Sequence, residues 1–398
     1  MDEPIKVCHI LSTFAPLVGG IQKSTERLCV TLREQGVYAV VLTRRLPGLS
    51  SSDECNGVPV VRAGHPSRSK LGAATFVIHS LWLLGTRYRA TRLLHVQSID
   101  APLLIGLLCK VLLGRRVVAT IHGEMMIVEQ KRSRLGRLRV RLMSRLVDCF
   151  TALSPQMERQ LREEKVPPSA IRFIPNGIDQ DVFRPATEAE KQAARRRLDL
   201  PDSAVIVLYV GRLIELKQVD VLLKAWSQRS ACGDDLLVIV GDGPEMNGLQ
   251  RLAQSLGIDA RFFGAQTDVA SFLRASDVFV LPSRMEGLSV ALLEAMSSGL
   301  AVIVSDLPGN LAVVRNDVNG MVVPAADRQA LVRALNEMLS SGSRRNRLGA
   351  VASRTIGEMF SLTRVAAEHK GMYAELLRRS ATAPKLTSAA LNAPSTDK

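Results

Sequence analysis

Short runs of apolar, mostly β-branched residues alternate with helical patterns along almost the whole chain of 398 residues. Near-continuous apolar strands separated by helices are typical of parallel sheets that helices cover on both faces. The sequence therefore predicts an α/β fold. The predicted strands are Ile5–Leu11, Tyr38–Thr43, Leu93–Val96, Val117–Ile121, Cys149–Ala152, Ile171–Ile174, Val205–Val210, Leu236–Val240, Arg261–Phe263, Val278–Leu281 and Val302–Val304.

The series of strands restarts after a polar helical connector, Thr187–Leu200. We therefore predict two doubly wound, Rossmann-like domains that face each other across a cleft, residues 1–185 and 200–362. A helix at about 363–379 is expected to pack back on the first domain, and residues 380–398 are expected to form a disordered tail. Ligands of such folds bind outside the carboxyl ends of the strands, so motifs at strand–loop junctions are the most informative.

The cysteines and histidines predict neither a metal centre nor a disulfide framework. They show no metal-ligand spacing, and Cys8, Cys109 and Cys149 lie inside apolar runs, which indicates free thiols in a reducing compartment.

No signal peptide is visible before the first strand. Leu71–Gly85 and Ala101–Gly114 are shorter than the roughly 20 apolar residues that a membrane span needs, so both are interpreted as core helices. We expect a cytoplasmic protein, either soluble or bound to the inner face of the plasma membrane.

The net charge of +14 is concentrated in the first half of the chain. Residues 1–185 contain 27 Lys and Arg against 15 Asp and Glu, whereas the remaining residues contain 25 and 23. This excess favours a phosphate-bearing partner, which could be a nucleic acid, an anionic membrane or a phosphorylated small molecule. Nucleic acid is disfavoured because aromatic residues make up only 4% of the chain and none stands in the basic stretch Lys131–Arg145.

That basic stretch predicts an amphipathic helix with two possible orientations. Its leucines at 135, 138, 142 and 146 recur at helical spacing, and Arg134, Arg137, Arg141 and Arg145 each stand one position earlier. The helix could lie on an anionic membrane surface. Alternatively, it could pack its leucines on its own sheet and leave the arginines in water. The charge bias of the first half favours the membrane.

Two glycine-containing segments fail as standard phosphate loops. Gln22 stands where the second glycine of a Walker motif belongs, and Met246 replaces the third glycine of a dinucleotide fingerprint. Gly19 and Gly20 nevertheless follow the first strand and open a helix, where backbone N–H groups favour an anion. An ordinary strand–helix turn would produce the same pair.

Charged residues stand at two strand ends of the second half. Arg212 follows its first predicted strand, with Lys217 five residues on, and two such cations could clamp a diphosphate; they could also be ordinary surface residues. Glu286 falls in the loop after Val278–Leu281, and Glu294 lies in an apolar helix for which Ser289 is the expected N-cap. A buried Glu294 would need a partner. The pair could bind sugar hydroxyls, or could serve as a cap and a buried ion pair.

Read in order, the motifs resemble those of the retaining glycosyltransferases of family 4, which have the GT-B fold. The resemblance covers roughly residues 5–375. The motifs are Gly19-Gly20, His122-Gly123, Asn176-Gly177-Ile178-Asp179, Gly211-Arg212-Leu213 with Lys217, Gly241-Asp242-Gly243-Pro244-Glu245 and Glu286-x7-Glu294. One segment departs from the family pattern, because Ala312 takes the acidic position of a Gly-Gly-x-x-Glu motif; this leaves the local nucleotide or interdomain contacts open.

The resemblance implies that the second domain binds a UDP- or GDP-sugar and the first domain a glycan or lipid-linked acceptor, as in cell-envelope polysaccharide synthesis. Glu286 would contact sugar hydroxyls and Glu294 the ribose. Arg212 and Lys217 would hold the diphosphate, helped by the N–H groups of Gly287, Leu288 and Ser289.

From the first domain, Gly19 and Gly20 would approach the donor phosphate, and His122 would reach the transferred sugar near its reacting carbon. Transfer would retain the anomeric configuration without a metal or cofactor. The alternatives are a sugar phosphorylase or a nucleotide-sugar epimerase on the same fold, or a non-catalytic nucleotide-sugar-binding protein. The joint presence of His122, Glu286, Arg212 and Lys217 argues against the last.

Overall fold

A computed structural model describes residues 4–17, 19–122, 124–230 and 233–381. Within them the first half of the chain forms an eight-stranded sheet and the second half a six-stranded sheet. The first sheet contains β1 (Lys6–Leu11), β2 (Tyr38–Arg44), β3 (Ser52–Cys55), β4 (Val58–Ala63), β5 (Leu93–Val96), β6 (Arg116–Thr120), β7 (Cys149–Ala152) and β8 (Ile171–Phe173). The second contains β9 (Ile206–Val210), β10 (Leu236–Val240), β11 (Ala260–Phe262), β12 (Val278–Leu281), β13 (Ala301–Ser305) and β14 (Met321–Val323).

Both sheets are doubly wound, which confirms the predicted fold class. The strand orders are β3-β4-β2-β1-β5-β6-β7-β8 and β11-β10-β9-β12-β13-β14. All neighbours are parallel except β3 and β4. The direction of winding reverses between β1 and β5 in the first sheet and between β9 and β12 in the second, and such reversal points are where this architecture binds ligands.

Three strands escaped prediction. The edge strand β3 is polar, β4 contains Pro59, and β14 has only three residues. Polar side chains are acceptable at a sheet edge, where one side of the backbone needs no partner. Pro59 is the second residue of β4, next to the turn that joins β4 to β3. Asn56 and Gly57 join β3 to β4 with φ of +49° and +77°, and an Asn-Gly pair in this conformation is the strongest short hairpin signal.

Helices cover both faces of each sheet. The fifteen α-helices of the described residues are α1 (Gly20–Glu34), α2 (Lys70–Gly85), α3 (Ala101–Leu113), α4 (Glu124–Lys131), α5 (Arg134–Leu146), α6 (Pro155–Glu163), α7 (Glu188–Arg197), α8 (Val219–Gln228), α9 (Met246–Ser255), α10 (Val269–Ala275), α11 (Val290–Ser297), α12 (Pro308–Leu311), α13 (Arg328–Ser340), α14 (Gly342–Phe360) and α15 (Leu362–Ala381). On the first sheet, α2, α3, α5 and α6 bury apolar side chains on one face, and α1 and α15 do so on the other. None of the described helices is both long and apolar enough to cross a bilayer.

The leucine stripe of α5 points away from the protein. Leu135, Leu138 and Leu142 are exposed, and the helix rests on its sheet through Gly136, Val140 and Met143 instead. The alternative in which the leucines pack on the sheet is therefore wrong for these three positions. A second, narrower apolar face holds the helix on the sheet. The regular leucine spacing made this face hard to recognise in the sequence.

The cysteines and the chain end are described only in part. Cys8, Cys29, Cys109 and Cys149 are buried free thiols, and Cys55 is a half-buried one; Cys232 lies outside the described residues. Of the predicted tail, Ser380 and Ala381 belong to α15, and residues 382–398 lie outside the described residues.

Helix α15 returns to the first sheet and meets a cluster of buried histidines there. Its Tyr373 hydroxyl lies 2.7 Å from His95 Nδ1, and the His95 ring lies 4.9 Å from the His9 ring and 5.7 Å from the His369 ring, measured between centroids. Burial lowers the pKa of His9 to about 3 and that of His369 to about 4, and it holds the pKa of His95 well below its usual value. The rings are therefore neutral at physiological pH, which lets them pack together.

We predict that acid destabilises the protein through this cluster. An unfolded histidine has a pKa of about 6.5, so below that pH the unfolded chain binds more protons than the folded one. The free energy of unfolding should fall as pH drops from about 6.5 toward 4, by up to about 1.4 kcal/mol per pH unit for each histidine. Urea unfolding across this range would measure it. His369→Gln should weaken the dependence and the exposed His65→Gln should not; identical slopes in both variants would contradict the prediction.

Candidate active site between the two domains

A crevice between the two sheets brings together residues that are far apart in the sequence. A cavity of about 150 Å³ is lined by Gly20 and His122 from the first domain and by Glu286, Gly287 and Leu288 from the second. A second cavity of about 350 Å³ shares Gly20 and extends toward Glu294. The loops that follow β6 and β12 thus face each other across the crevice.

Glu286 and Lys217 form an ion pair at the crevice, between Lys217 Nζ and Glu286 Oε2. Their side chains are only 19% and 11% exposed, so little water screens the pair. Lys217 ends a short 3-10 turn after β9, and the Arg284 N–H donates to the Leu216 carbonyl at 2.9 Å, which ties that turn to the Glu286 loop. The fold therefore joins an acid and a base that are 69 residues apart.

His122 is a neutral hydrogen-bond donor. Gln97 Nε2 lies 3.1 Å from His9 Nδ1 and donates to it, so the Gln97 carbonyl oxygen faces His122 and accepts from its Nε2 at 2.8 Å. Burial lowers the pKa of His122 to about 4. With Nε2 protonated, Nδ1 keeps its lone pair and can accept a hydrogen bond.

Glu294 is buried, and its partner comes from the other domain. Ser289 caps α11 as predicted, accepting from the Leu292 N–H at 3.4 Å, and this places Glu294 in the second turn of the helix. Arg27 of α1 donates to Glu294 Oε1 at 3.0 Å, and its guanidinium stacks over the Phe183 ring at 4.9 Å. Burial raises the pKa of Glu294, and Arg27 opposes this shift. The ion pair uses Oε1 and leaves Oε2 without a bond to Arg27.

Glycines shape the floor of the crevice. Gly241 has φ of +141°, and a Cβ there would stand 1.8 Å from the Gly211 carbonyl oxygen. A Cβ on Gly309 would stand 2.1 Å from the Gly287 oxygen, so the segment that departs from the family pattern packs directly on the Glu286 loop. By contrast, a Cβ on Gly20 would meet nothing within 4 Å. Among the residues that the structure describes, no contact requires a glycine at position 20.

Arg212 does not join the other predicted residues. Its side chain is exposed, and among the described residues it has no hydrogen-bond or ion-pair partner. Its backbone carbonyl accepts from the Tyr209 hydroxyl at 3.1 Å. The structure thus brings His122, Glu286 and Lys217 to one crevice and leaves the Arg212 guanidinium in solvent.

Several polar residues of the crevice were missed in the sequence. Arg27 and Gln97 pair with predicted residues, Lys23 Nζ donates to the Thr267 carbonyl across the crevice at 3.1 Å, and Ser24 donates to Asn176 Oδ1 at 2.8 Å. The only signal for Arg27 was the expectation that a buried Glu294 needs a partner. Lys23, Ser24 and Arg27 lie on one face of α1, and that face becomes informative only once α1 is known to border the crevice.

An Asp-x-Asp sequence, Asp179-Gln180-Asp181, was also overlooked. Its spacing can serve metal binding, but Asp179 Oδ1 accepts from the N–H groups of Asp181 and Val182 at 3.1 and 3.4 Å and so closes a local turn. Across the residues whose positions are described, no group of three or more His, Cys, Asp or Glu could hold a metal ion.

Two family models match the chain, one in each domain. The model "Glycosyltransferase Family 4" matches residues 18–182, and "Glycosyl transferases group 1" matches residues 190–355. The sucrose-phosphate synthase of Thermosynechococcus elongatus superposes with a TM-score of 0.80 at 24% identity, over 94% of this chain and all of that one. This likeness shows the fold.

Among relatives by sequence is the GDP-mannose-dependent alpha-(1-6)-phosphatidylinositol monomannoside mannosyltransferase of Mycolicibacterium smegmatis. It is 30% identical over 368 residues, which are 87% of this chain and 92% of that protein. The D-inositol 3-phosphate glycosyltransferase of Salinispora tropica is 34% identical over 232 residues, which are 54% of this chain and 48% of that protein. The chain therefore belongs to the family 4 glycosyltransferases and has the two-domain GT-B fold.

Proposed function

We propose that the protein transfers a sugar from a UDP- or GDP-sugar to a hydroxyl group of a glycan or lipid-linked acceptor, with retention of the anomeric configuration. The observation that supports this best is that the neutral His122 and Glu286, which is paired with Lys217, line one interdomain cavity. The acceptor names of the relatives, phosphatidylinositol mannoside and inositol phosphate, agree with a hydroxyl acceptor. We place the reaction at the cytoplasmic face of a membrane, in cell-envelope glycan synthesis.

In this proposal the second domain holds the donor. Lys217 has three N–H donors, so it can hold Glu286 and a phosphate oxygen together. Glu286 accepts from sugar hydroxyls, Oε2 of Glu294 accepts from the ribose, and the N–H groups at Gly287–Ser289 face the diphosphate. Arg212, free in solvent here, would turn in to the bound diphosphate.

The transfer step needs charge stabilisation and one proton transfer. The bond between the anomeric carbon and the diphosphate oxygen breaks, and its electron pair leaves with the diphosphate. The acceptor oxygen bonds to the same face of the sugar, and its proton passes to the departing oxygen. Lys217 and Arg212 stabilise the charge that develops there, which makes a metal unnecessary in the proposal. Because His122 is neutral, its Nδ1 can accept a hydrogen bond from a sugar hydroxyl, and the ring adds no charge near the reacting carbon.

We predict that Glu286→Ala and Lys217→Ala each lower kcat/KM by roughly 100-fold or more, the loss typical of a preorganised electrostatic group. Release of nucleoside diphosphate from a panel of UDP- and GDP-sugars measures this, and thermal shift reports donor binding separately. Lys224→Ala, which removes a half-buried lysine of α8 that pairs with Asp220 on the same helix, is the matched control. Turnover close to wild type in either site variant would refute the assigned roles.

The same panel separates the alternative functions. A phosphorylase would produce a sugar phosphate only when inorganic phosphate is present, and an epimerase would convert the sugar part of the donor to an isomer. A non-catalytic binder would show a thermal shift without nucleotide release. NMR of the product's anomeric proton tests retention, and addition of a chelator tests independence from metals.

We predict that Gln97 positions His122 and keeps it neutral. Gln97→Leu leaves His122 Nε2 and His9 Nδ1 without partners, at a cost of about 1–3 kcal/mol for each buried group, and should lower kcat. Gln97→Glu places a carboxylate beside His122 and should raise the pKa of that ring. The pH profile of kcat should then gain an ionisation that wild type lacks. An unchanged profile in Gln97→Glu would contradict this role.

A further inference from the structure

The outer faces of α2 and α3 are apolar and open to solvent. Ile78 and Trp82 on α2 are 69% and 60% exposed, and Val111 on α3 is 67% exposed. Leu71, Ile78 and Trp82 recur at helical spacing and so share one side of α2. Between Leu71 and Gly85 this helix has no Lys, Arg, Asp or Glu, so no such charged side chain interrupts the stripe. These helices had been interpreted as core elements, and only their inner faces are.

The exposed faces of α2, α3 and α5 point to the same side of the molecule. All three helices bury their other faces on the same side of the first sheet. Helix α3 packs against both α2 and α5, and the Arg115 guanidinium donates to the Leu84 carbonyl at 3.2 Å where α2 ends. We call the combined surface of these three helices the outer face. It includes the exposed leucines 135, 138 and 142 of α5.

The outer face is bordered by positive charge. Asp100 is the only acidic residue between positions 56 and 123, and positions 130–147 contain seven Lys and Arg and no acid. Arg68 and Lys70 stand at the start of α2, Arg87 follows its end, and all three are exposed. On α5, Arg134, Arg137, Arg141 and Arg145 are exposed, and no carboxylate of the described residues forms an ion pair with them.

We propose that the outer face docks on an anionic membrane surface, with the apolar side chains of α2 and α3 entering the lipid interface and the α5 arginines binding headgroup phosphates. Contiguous exposed apolar area is uncommon on soluble monomers and marks a surface that another phase or partner covers. A second copy of the chain is disfavoured, because a two-fold contact would bring the same positive residues against each other. Trp82 suits the interface, where its ring can be apolar on one side and hydrated on the other.

The proposed function gives this docking a purpose, since a lipid-linked acceptor would then be held next to the crevice. Helix α4 begins two residues after His122, and α5 follows it after two more. Docking itself does not require catalysis. It can therefore be tested without donor or acceptor.

Intrinsic tryptophan fluorescence is a direct probe, because the chain has two tryptophans in opposite environments. Trp82 is exposed on α2, and Trp226 is buried in the second domain. With vesicles of equimolar phosphatidylglycerol and phosphatidylcholine, we expect a blue shift of the emission and quenching by brominated lipids. Trp226→Phe should keep both effects and Trp82→Phe should lose them. With phosphatidylcholine alone the effects should be weak.

Flotation with the same vesicles separates the contribution of the α5 arginines from that of the apolar side chains of α2 and α3. Replacing Arg134, Arg137 and Arg141 by Gln should weaken partitioning on the order of 100-fold, and replacing Ile78, Trp82 and Val111 by Ser should weaken it about tenfold or more. The matched control replaces Arg328, Arg333 and Arg354, exposed on the second domain, by Gln; it removes the same charge and should partition like wild type. Circular dichroism checks that each variant is folded.

Two results would overturn the inference. One is equal partitioning of the wild type and both outer-face variants with Trp82 emission unshifted. The other is a change of oligomeric state without vesicles in the apolar variant, which would identify the face as a contact between copies. Nucleotide release is measured in parallel: its absence with docking intact would refute the proposed function alone, and normal release without docking would refute this inference alone.

Discussion

The buried carboxylate of Glu294 imposes the constraint on which the relation between the two domains depends. A carboxylate inside an apolar helix is costly unless a cation meets it. That cation is Arg27, on a helix of the other domain, at 3.0 Å. The crevice is therefore held by a polar contact across it. Phe183 packs against the same guanidinium, so this stacking contact and the ion pair together fix the position of the Arg27 side chain.

Neutral histidines define the other side of the crevice. Residues from β1, β5, the loop after β6 and α15 form a buried network in which Gln97 connects His9 to His122. Burial lowers the pKa of each ring, so the network presents a dipole rather than a charge to the cavity. Among the described residues that line the smaller cavity, the charged side chain is Glu286 of the second domain, which pairs with Lys217.

The two helical layers of the first domain have different surroundings. One layer, α1 and α15, borders the crevice and joins the domains, and it contains Arg27, Lys23 and His369. The other layer, α2, α3 and α5, has exposed apolar residues, and the α5 arginines form no ion pair within the part of the chain that the structure describes. In our proposals, the sheet between them separates the transfer site from the docking face. Docking on an anionic surface would account for the concentration of positive charge in the first half of the chain.

The pattern of apolar runs alone determined the fold class, eleven of the fourteen described strands and the division into two sheets, because a strand buried on both faces is apolar over its whole length. Ordered motifs likewise identified the family. Only the tertiary structure decided which polar side chains meet: Arg27 with Glu294, Lys217 with Glu286, and Gln97 with His122. Ion pairs between distant residues leave no local pattern, since either partner alone is a common surface residue. Likewise, the sequence showed the helical spacing of apolar residues in α2 and α5. It did not show which side of each helix faces the sheet.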